Sequence, residues 1–121
     1  MSLAGKTILN CRPDEDSAGL NALIAAHQGH VVHCPALRRV SLLSGDHGDQ
    51  FIMLLEKAGP GAIAAFTSPH GVRLAVSFLQ DRGEIDLLSD LEIAVVGEGT
   101  RAEARDLGLE VSLRAEEIHG E

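Results

Sequence analysis

Tyrosine and tryptophan are absent from this 121-residue sequence, and its aromatic side chains are three phenylalanines, Phe51, Phe66 and Phe78. Without tyrosine the chain has no phenolic general acid and lacks a common platform for stacking nucleobases. Its core must be built from Leu, Ile, Val and Ala. Positive charge is scarce as well: 10 Lys and Arg face 18 Asp and Glu, a formal net charge of −8. Nonspecific binding to DNA or RNA needs a basic stripe, so the charge balance argues against nucleic acid as a partner. No apolar run reaches the roughly 18 residues that cross a bilayer, so no membrane span is expected. Residues 1–6 hold no apolar signal-peptide stretch, and the expectation is a chain without a secretory signal, located in the cytoplasm. In that setting Cys11 and Cys34 read as free thiols, each a small buried hydrophobe.

What is present is ordinary for a globular chain: 45% hydrophobic and 23% charged residues. A chain of this length buries about two-thirds of its unfolded surface without help from metals or disulfides. Apolar runs alternate with helical periodicity. A strand over residues 7–11 is broken by Pro13, which cannot donate to a ladder. A helix over 15–27 places Leu20, Leu23, Ile24 and His27 on one face, and Gly29 stops it. Val31 and Val32 open a second strand, which Pro35 interrupts before an extended connection over 36–43. Residues 44–49 read as a polar, Gly-rich loop and the best boundary in the chain. A helix over 50–58 leads to the apolar run 62–66, expected to be a strand buried on both faces. Ser68 before Pro69 is a helix-start signal, with the helix reaching Gln80 and a short helical turn within 85–91. A strand over 92–96 turns at Gly97 into a helix capped by Thr100, and a last strand over 109–113 precedes a polar tail.

Strands alternating with helices predict an α/β fold with a parallel sheet. Ligands in such sheets bind beyond the carboxyl ends of the strands. Those ends carry Arg12, Pro35, Thr67 and Ser68, the segment from Gly97 to Thr100, and Arg114. Two of them turn from strand into helix, where unpaired N–H groups favour carboxylate or phosphate; the bland alternative is that Ser68 and Thr100 only cap their own helices. Residues 97–102 also fit a dinucleotide-type glycine pattern, with Glu116 and Glu117 near the distance of a ribose contact. Against it, Glu98 brings a like charge to the pyrophosphate position. His30, His33 and Cys34 cluster in sequence, but residues 30 and 33 face opposite sides of a strand and do not converge on one ion. No metal is expected, and no Ser-His-Asp or Cys-His signature is visible.

Taken in order, four pieces resemble the uroporphyrinogen-III synthase family: a strand ending in Arg12-Pro13 followed by a helix; Gly29-His30-Val31-Val32 leading to Pro35; Phe66-Thr67-Ser68-Pro69-His70-Gly71-Val72; and Ala94-Val95-Val96-Gly97-Glu98-Gly99-Thr100 followed by Leu107-Gly108-Leu109. The resemblance runs from Lys6 to about Glu117. It implies a two-lobed, flavodoxin-like α/β fold, with residues 1–40 beginning one lobe and 41–121 the second, and with the active site in the cleft between lobes. It matches the family's N-terminal half, so the expectation is a fragment or a shortened homologue. The implied reaction is cyclisation of the linear tetrapyrrole hydroxymethylbilane, with loss of its hydroxyl as water, closure through a spiro intermediate and inversion of the last ring. No cofactor is implied. The matching substrate-binding positions are Arg12, Thr67, Ser68, Gly97 and Thr100, in carboxylate binding and orientation. The tyrosine that the family often places near the departing hydroxyl has no counterpart here, and no catalytic residue is assigned. Competing expectations are a noncatalytic α/β binding or interaction module of the same fold, and a nucleotide-binding domain. A homodimer formed by segment exchange is expected from uncovered strands in the first lobe; the alternative is one compact five-stranded sheet.

Overall fold

A computed structural model describes residues 1–115 of the chain. The chain divides into two compact units, Met1–Val40 and a second that begins at Ser41. Every strand pair in both is parallel. The α/β class with alternating strands and helices is therefore as expected. The five strands do not share one sheet: two form one sheet and three another.

In the first unit, β1 (Thr7–Asn10) pairs with β2 (His30–His33), with Ile8 opposite Val31 and Asn10 opposite His33. Between them lie a 3-10 turn (Asp14–Asp16) and helix α1 (Ala18–Ala26). The helix thus starts later than the periodicity predicts, because residues 14–16 are already tightened by the Asp16 N–H donating to the Pro13 carbonyl at 3.0 Å. Its predicted apolar face is also narrower than the pattern implies. Ile24 is buried, whereas Leu23 is 57% exposed. A sheet of two strands covers only a thin stripe of a helix.

In the second unit, helix α2 (Gly45–Ala58) precedes strand β3 (Ile63–Phe66), and α3 (Pro69–Asp81) and the short α4 (Asp86–Ser89) follow. Strand β4 (Glu92–Val96), helix α5 (Glu98–Asp106) and strand β5 (Val111–Ala115) complete it, in sheet order β3-β4-β5. The polar segment 44–49 is not a loop. Gly45 opens α2, and the buried Gly48 lets that helix approach Phe78 of α3. Asp49 is held there by Arg82 at 2.7 Å. The last strand begins two residues later than predicted because Leu109 is buried in the core beside α5. A bulge follows: Ile93 pairs with Val111 but Ala94 with Leu113, leaving Ser112 over.

The core gathers Ile52, Val72, Val76, Leu79, Leu88, Ile93, Val95 and Ala104 on one face of the sheet. The expectation that residues 62–66 are buried on both faces fails for this reason. Ala64 and Phe66 pair beside Ile93 and Val95, while Ile63, Val96 and Leu113 on the opposite face are 55%, 51% and 46% exposed. No helix among the described residues is long and apolar enough to cross a membrane.

Candidate functional site

Parallel pairing of β3 and β4 sets their carboxyl ends side by side, with Phe66 opposite Val95. Thr67, Ser68, Gly97 and Thr100 are thereby brought to one sheet edge, where α3 and α5 begin. At the first turn, Ser68 is extended (φ −149°, ψ 149°) and its Oγ accepts the Gly71 N–H at 3.1 Å, with Pro69 at the first helical position. This is the predicted helix start. Thr67 and Ser68 are exposed.

The second turn differs from expectation. Gly97, not Thr100, is the residue before the helix, with φ 88°, a conformation that costs little only without a Cβ. The helix therefore begins at Glu98 and Thr100 lies within its first turn, 3% exposed. A buried hydroxyl there does not cap the helix. Gly97 has no side chain to offer, so α5 has no side-chain cap, and the acidic residue in its first turn is Glu98, which also pairs with Arg101 at 3.2 Å. A Cβ placed on Gly99 would come 3.7 Å from Pro69 Cγ, which shows how near the two helix starts are. Together they form one edge with two dipole ends and backbone donors. Glu116 and Glu117, weighed for a ribose contact, lie outside the described residues. Arg114 falls within β5 and not beyond its end.

Arg12 belongs to the first unit, just past the carboxyl end of β1. Its N–H donates to Asn10 Oδ1 at 3.1 Å. The Asn10 amide is itself oriented by donating from Nδ2 to Asn21 Oδ1 at 2.7 Å. On the other side, the Arg12 carbonyl lies 3.1 Å from Ser17 Oγ and 3.3 Å from His33 Nε2. Ser17 Oγ is also 2.7 Å from the Pro13 carbonyl and 2.7 Å from His33 Nε2. Two carbonyls and the Asp14 carboxylate, 3.6 Å away, surround the His33 and Ser17 polar atoms. With acceptors on all sides, the consistent assignment puts a proton on His33 Nε2, shared between Ser17 Oγ and, at longer range, the Arg12 carbonyl, while the Ser17 hydroxyl donates to Pro13. Asn10 and Ser17 are each 2% exposed. Sequence patterns do not single out Asn10, Ser17 and Asn21; the one signal is Asn10, a polar residue ending an apolar strand. His30 and His33 do lie on opposite faces of β2, paired with Thr7 and Asn10. Cys11 and Cys34 are free and exposed, not buried: each sits just past a strand end, beyond the cover of α1.

Beside this turn is an open hollow of about 390 Å³ lined by Asp14, Glu15, Pro35, Ala36, Leu37 and Arg38. Arg39 is bound by Asp16 and, at 3.4 Å, by Glu15. The hydrogen bond to Asp16 is the main reason its guanidinium pKa is raised above the ordinary value. Arg73, Arg82 and Arg101 are likewise paired with carboxylates. Among the described residues the side chains of three arginines, Arg12, Arg38 and Arg105, have no ion-pair partner, and of these only Arg12 lies just past the carboxyl end of a strand.

The profile of uroporphyrinogen-III synthase HemD matches residues 6–121, nearly the whole chain. The chain belongs to the uroporphyrinogen-III synthase family. No curated protein sequence matches it significantly. Membership of the uroporphyrinogen-III synthase family ties the chain to tetrapyrrole biosynthesis and agrees with its parallel α/β architecture.

Proposed function

We propose that the chain binds hydroxymethylbilane through the substrate's acetate and propionate carboxylates and takes part in its cyclisation to uroporphyrinogen III. The observation that carries this reading is the family match over residues 6–121. The two adjacent helix starts at Ser68 and Gly97 support it, because exposed N–H groups and dipole ends suit carboxylates. Arg12, with its unpaired guanidinium, is a second carboxylate ligand, and a guanidinium can hold a carboxylate in bidentate geometry. Thr67 contributes an exposed hydroxyl and Thr100 its main chain. These groups bind and orient. In such a reaction, holding the two chain ends in closing geometry supplies much of the acceleration. With a net charge of −8, the attraction for a polyanion is local to these turns. Self-association belongs to the same reading, since each unit leaves apolar strand residues uncovered on one sheet face.

The test is to incubate the chain with hydroxymethylbilane, oxidise the products and separate the porphyrin isomers. Accumulation of the type III isomer above the spontaneous background supports the reading. Binding without any type III isomer favours a noncatalytic module of the same fold. The absence of tyrosine, and so of a phenolic acid for the departing hydroxyl, is the observation on that side.

A further inference from the structure

The main chain of the Arg12-Pro13 turn is fastened by side chains from three separate elements. The Arg12 N–H is taken by Asn10 of β1, at 3.1 Å. Its carbonyl takes the longer branch of the His33 N–H of β2, at 3.3 Å, while Ser17, at the start of α1, accepts the shorter branch at 2.7 Å and donates to the neighbouring Pro13 carbonyl at 2.7 Å. Pro13 follows immediately and has no N–H to give, so the turn cannot close on an ordinary ladder of amides. The groups that replace the ladder are costly ones. Asn10 and Ser17 are almost wholly buried, and a buried polar side chain is tolerated only when its hydrogen bonds are made. Asn10 is further locked by Asn21, which fixes the amide so that its oxygen, not its nitrogen, faces Arg12. What this arrangement leaves unheld is the exposed guanidinium of Arg12.

We propose that Asn10, Ser17 and His33 are positioning residues that fix the main chain beneath Arg12 and so aim its guanidinium at a substrate carboxylate. This rests on the reading of Arg12 as a carboxylate ligand. None of the three touches the substrate; each acts through Arg12. A guanidinium on a fixed turn loses less conformational freedom on binding than one on a mobile turn, and that difference appears directly in affinity.

The experiment titrates the full chain with uroporphyrin, a stable tetrapyrrole octacarboxylate, following porphyrin fluorescence. The variants are Arg12→Ala, His33→Leu, His33→Gln, Ser17→Ala, and the pairs that combine Arg12→Ala with His33→Leu or Ser17→Ala. Arg12→Ala is expected to weaken binding about tenfold, the loss of one charge-assisted contact. His33→Leu and Ser17→Ala each weaken it several-fold, whereas His33→Gln, which keeps an N–H donor, restores most of the affinity. Each double variant binds no more weakly than Arg12→Ala alone, because the positioning has nothing left to aim. That non-additivity separates positioning from a general loss of structure. Should His33→Leu fail to fold, the Ser17→Ala pair carries the same cycle. If Arg12→Ala weakens binding but the other variants do not, or if their effects add to it in full, the positioning role is overturned and Arg12 stands. If the unaltered chain does not bind, or Arg12→Ala binds as well as the unaltered chain, the reading of Arg12 falls and the positioning role with it.

Discussion

A single missing Cβ is decisive at two points in the second unit. At Gly48 an added methyl would sit 2.8 Å from Phe78 Cζ and 3.0 Å from Cε2. The Phe78 ring has little room to yield, since Phe51 meets it edge-on at 5.8 Å and the Arg82 guanidinium lies 5.3 Å from its centroid. Gly48→Ala gains about 1 kcal/mol of helix propensity but overpacks by more, so a net loss of about 1–2 kcal/mol is expected in urea unfolding. Gly97→Ala forces a Cβ onto a φ of 88° and costs on the order of 1–3 kcal/mol. Gly99→Ala, where the new methyl meets Pro69 Cγ at an ordinary 3.7 Å, is its control and is expected to cost nothing, gaining up to about 1 kcal/mol of helix propensity. Ser68→Ala removes the bond to the Gly71 N–H and costs about 1 kcal/mol by the same measurement. The Arg39 pair behaves differently with pH. Its pKa is raised, so its contribution is complete below the unfolded guanidinium value and is lost only as pH rises through the still higher folded one. Stability measured across the neutral range therefore shows no inflection from this group.

Between elements, apolar burial is unevenly shared. Ile24 is the one buried hydrophobic side chain among the described residues of the first unit, whereas the second buries Val72, Val76, Leu79, Leu88, Ile93 and Val95 almost completely. Local opening free energy follows buried apolar contact. Amide exchange is therefore expected to be faster across β1, α1 and β2 than across β3, β4 and α3. Equal protection in both units would contradict this. The exception within the first unit is the turn around Arg12, where polar side chains substitute for an apolar core.

For the molecule as a whole, the unanswered demand is the uncovered sheet faces. Leu9 and Val32 are 59% and 42% exposed on one sheet, and Ile63, Val96 and Leu113 are exposed on the other. Neighbouring exposed apolar residues on a pleated surface mark contact surfaces. The expected result is a dimer by light scattering at micromolar concentration, dissociating on dilution. A monomer throughout that range would remove self-association from the proposed function.

The order of elements was legible in the chain because it follows from local rules: apolar runs, Pro13 and Pro69 as breaks, glycines at stops, and Ser68 as a cap. So was the pairing direction, since a helix between consecutive strands returns the chain to the same end. Family membership was legible too, from four short segments in a fixed order. Tertiary structure decided what depends on distant partners. Residues 44–49 look like a loop until Phe78 and Arg82 are placed against Gly48 and Asp49. Thr100 looks like a cap until Gly97 turns the chain three residues earlier and buries it. Leu23 looks like core until the narrowness of a two-stranded sheet exposes it. The clasp on Arg12 was invisible for the same reason: Asn10, Ser17, Asn21 and His33 are scattered over 24 positions, and only the parallel register of β1 on β2 brings them to one turn.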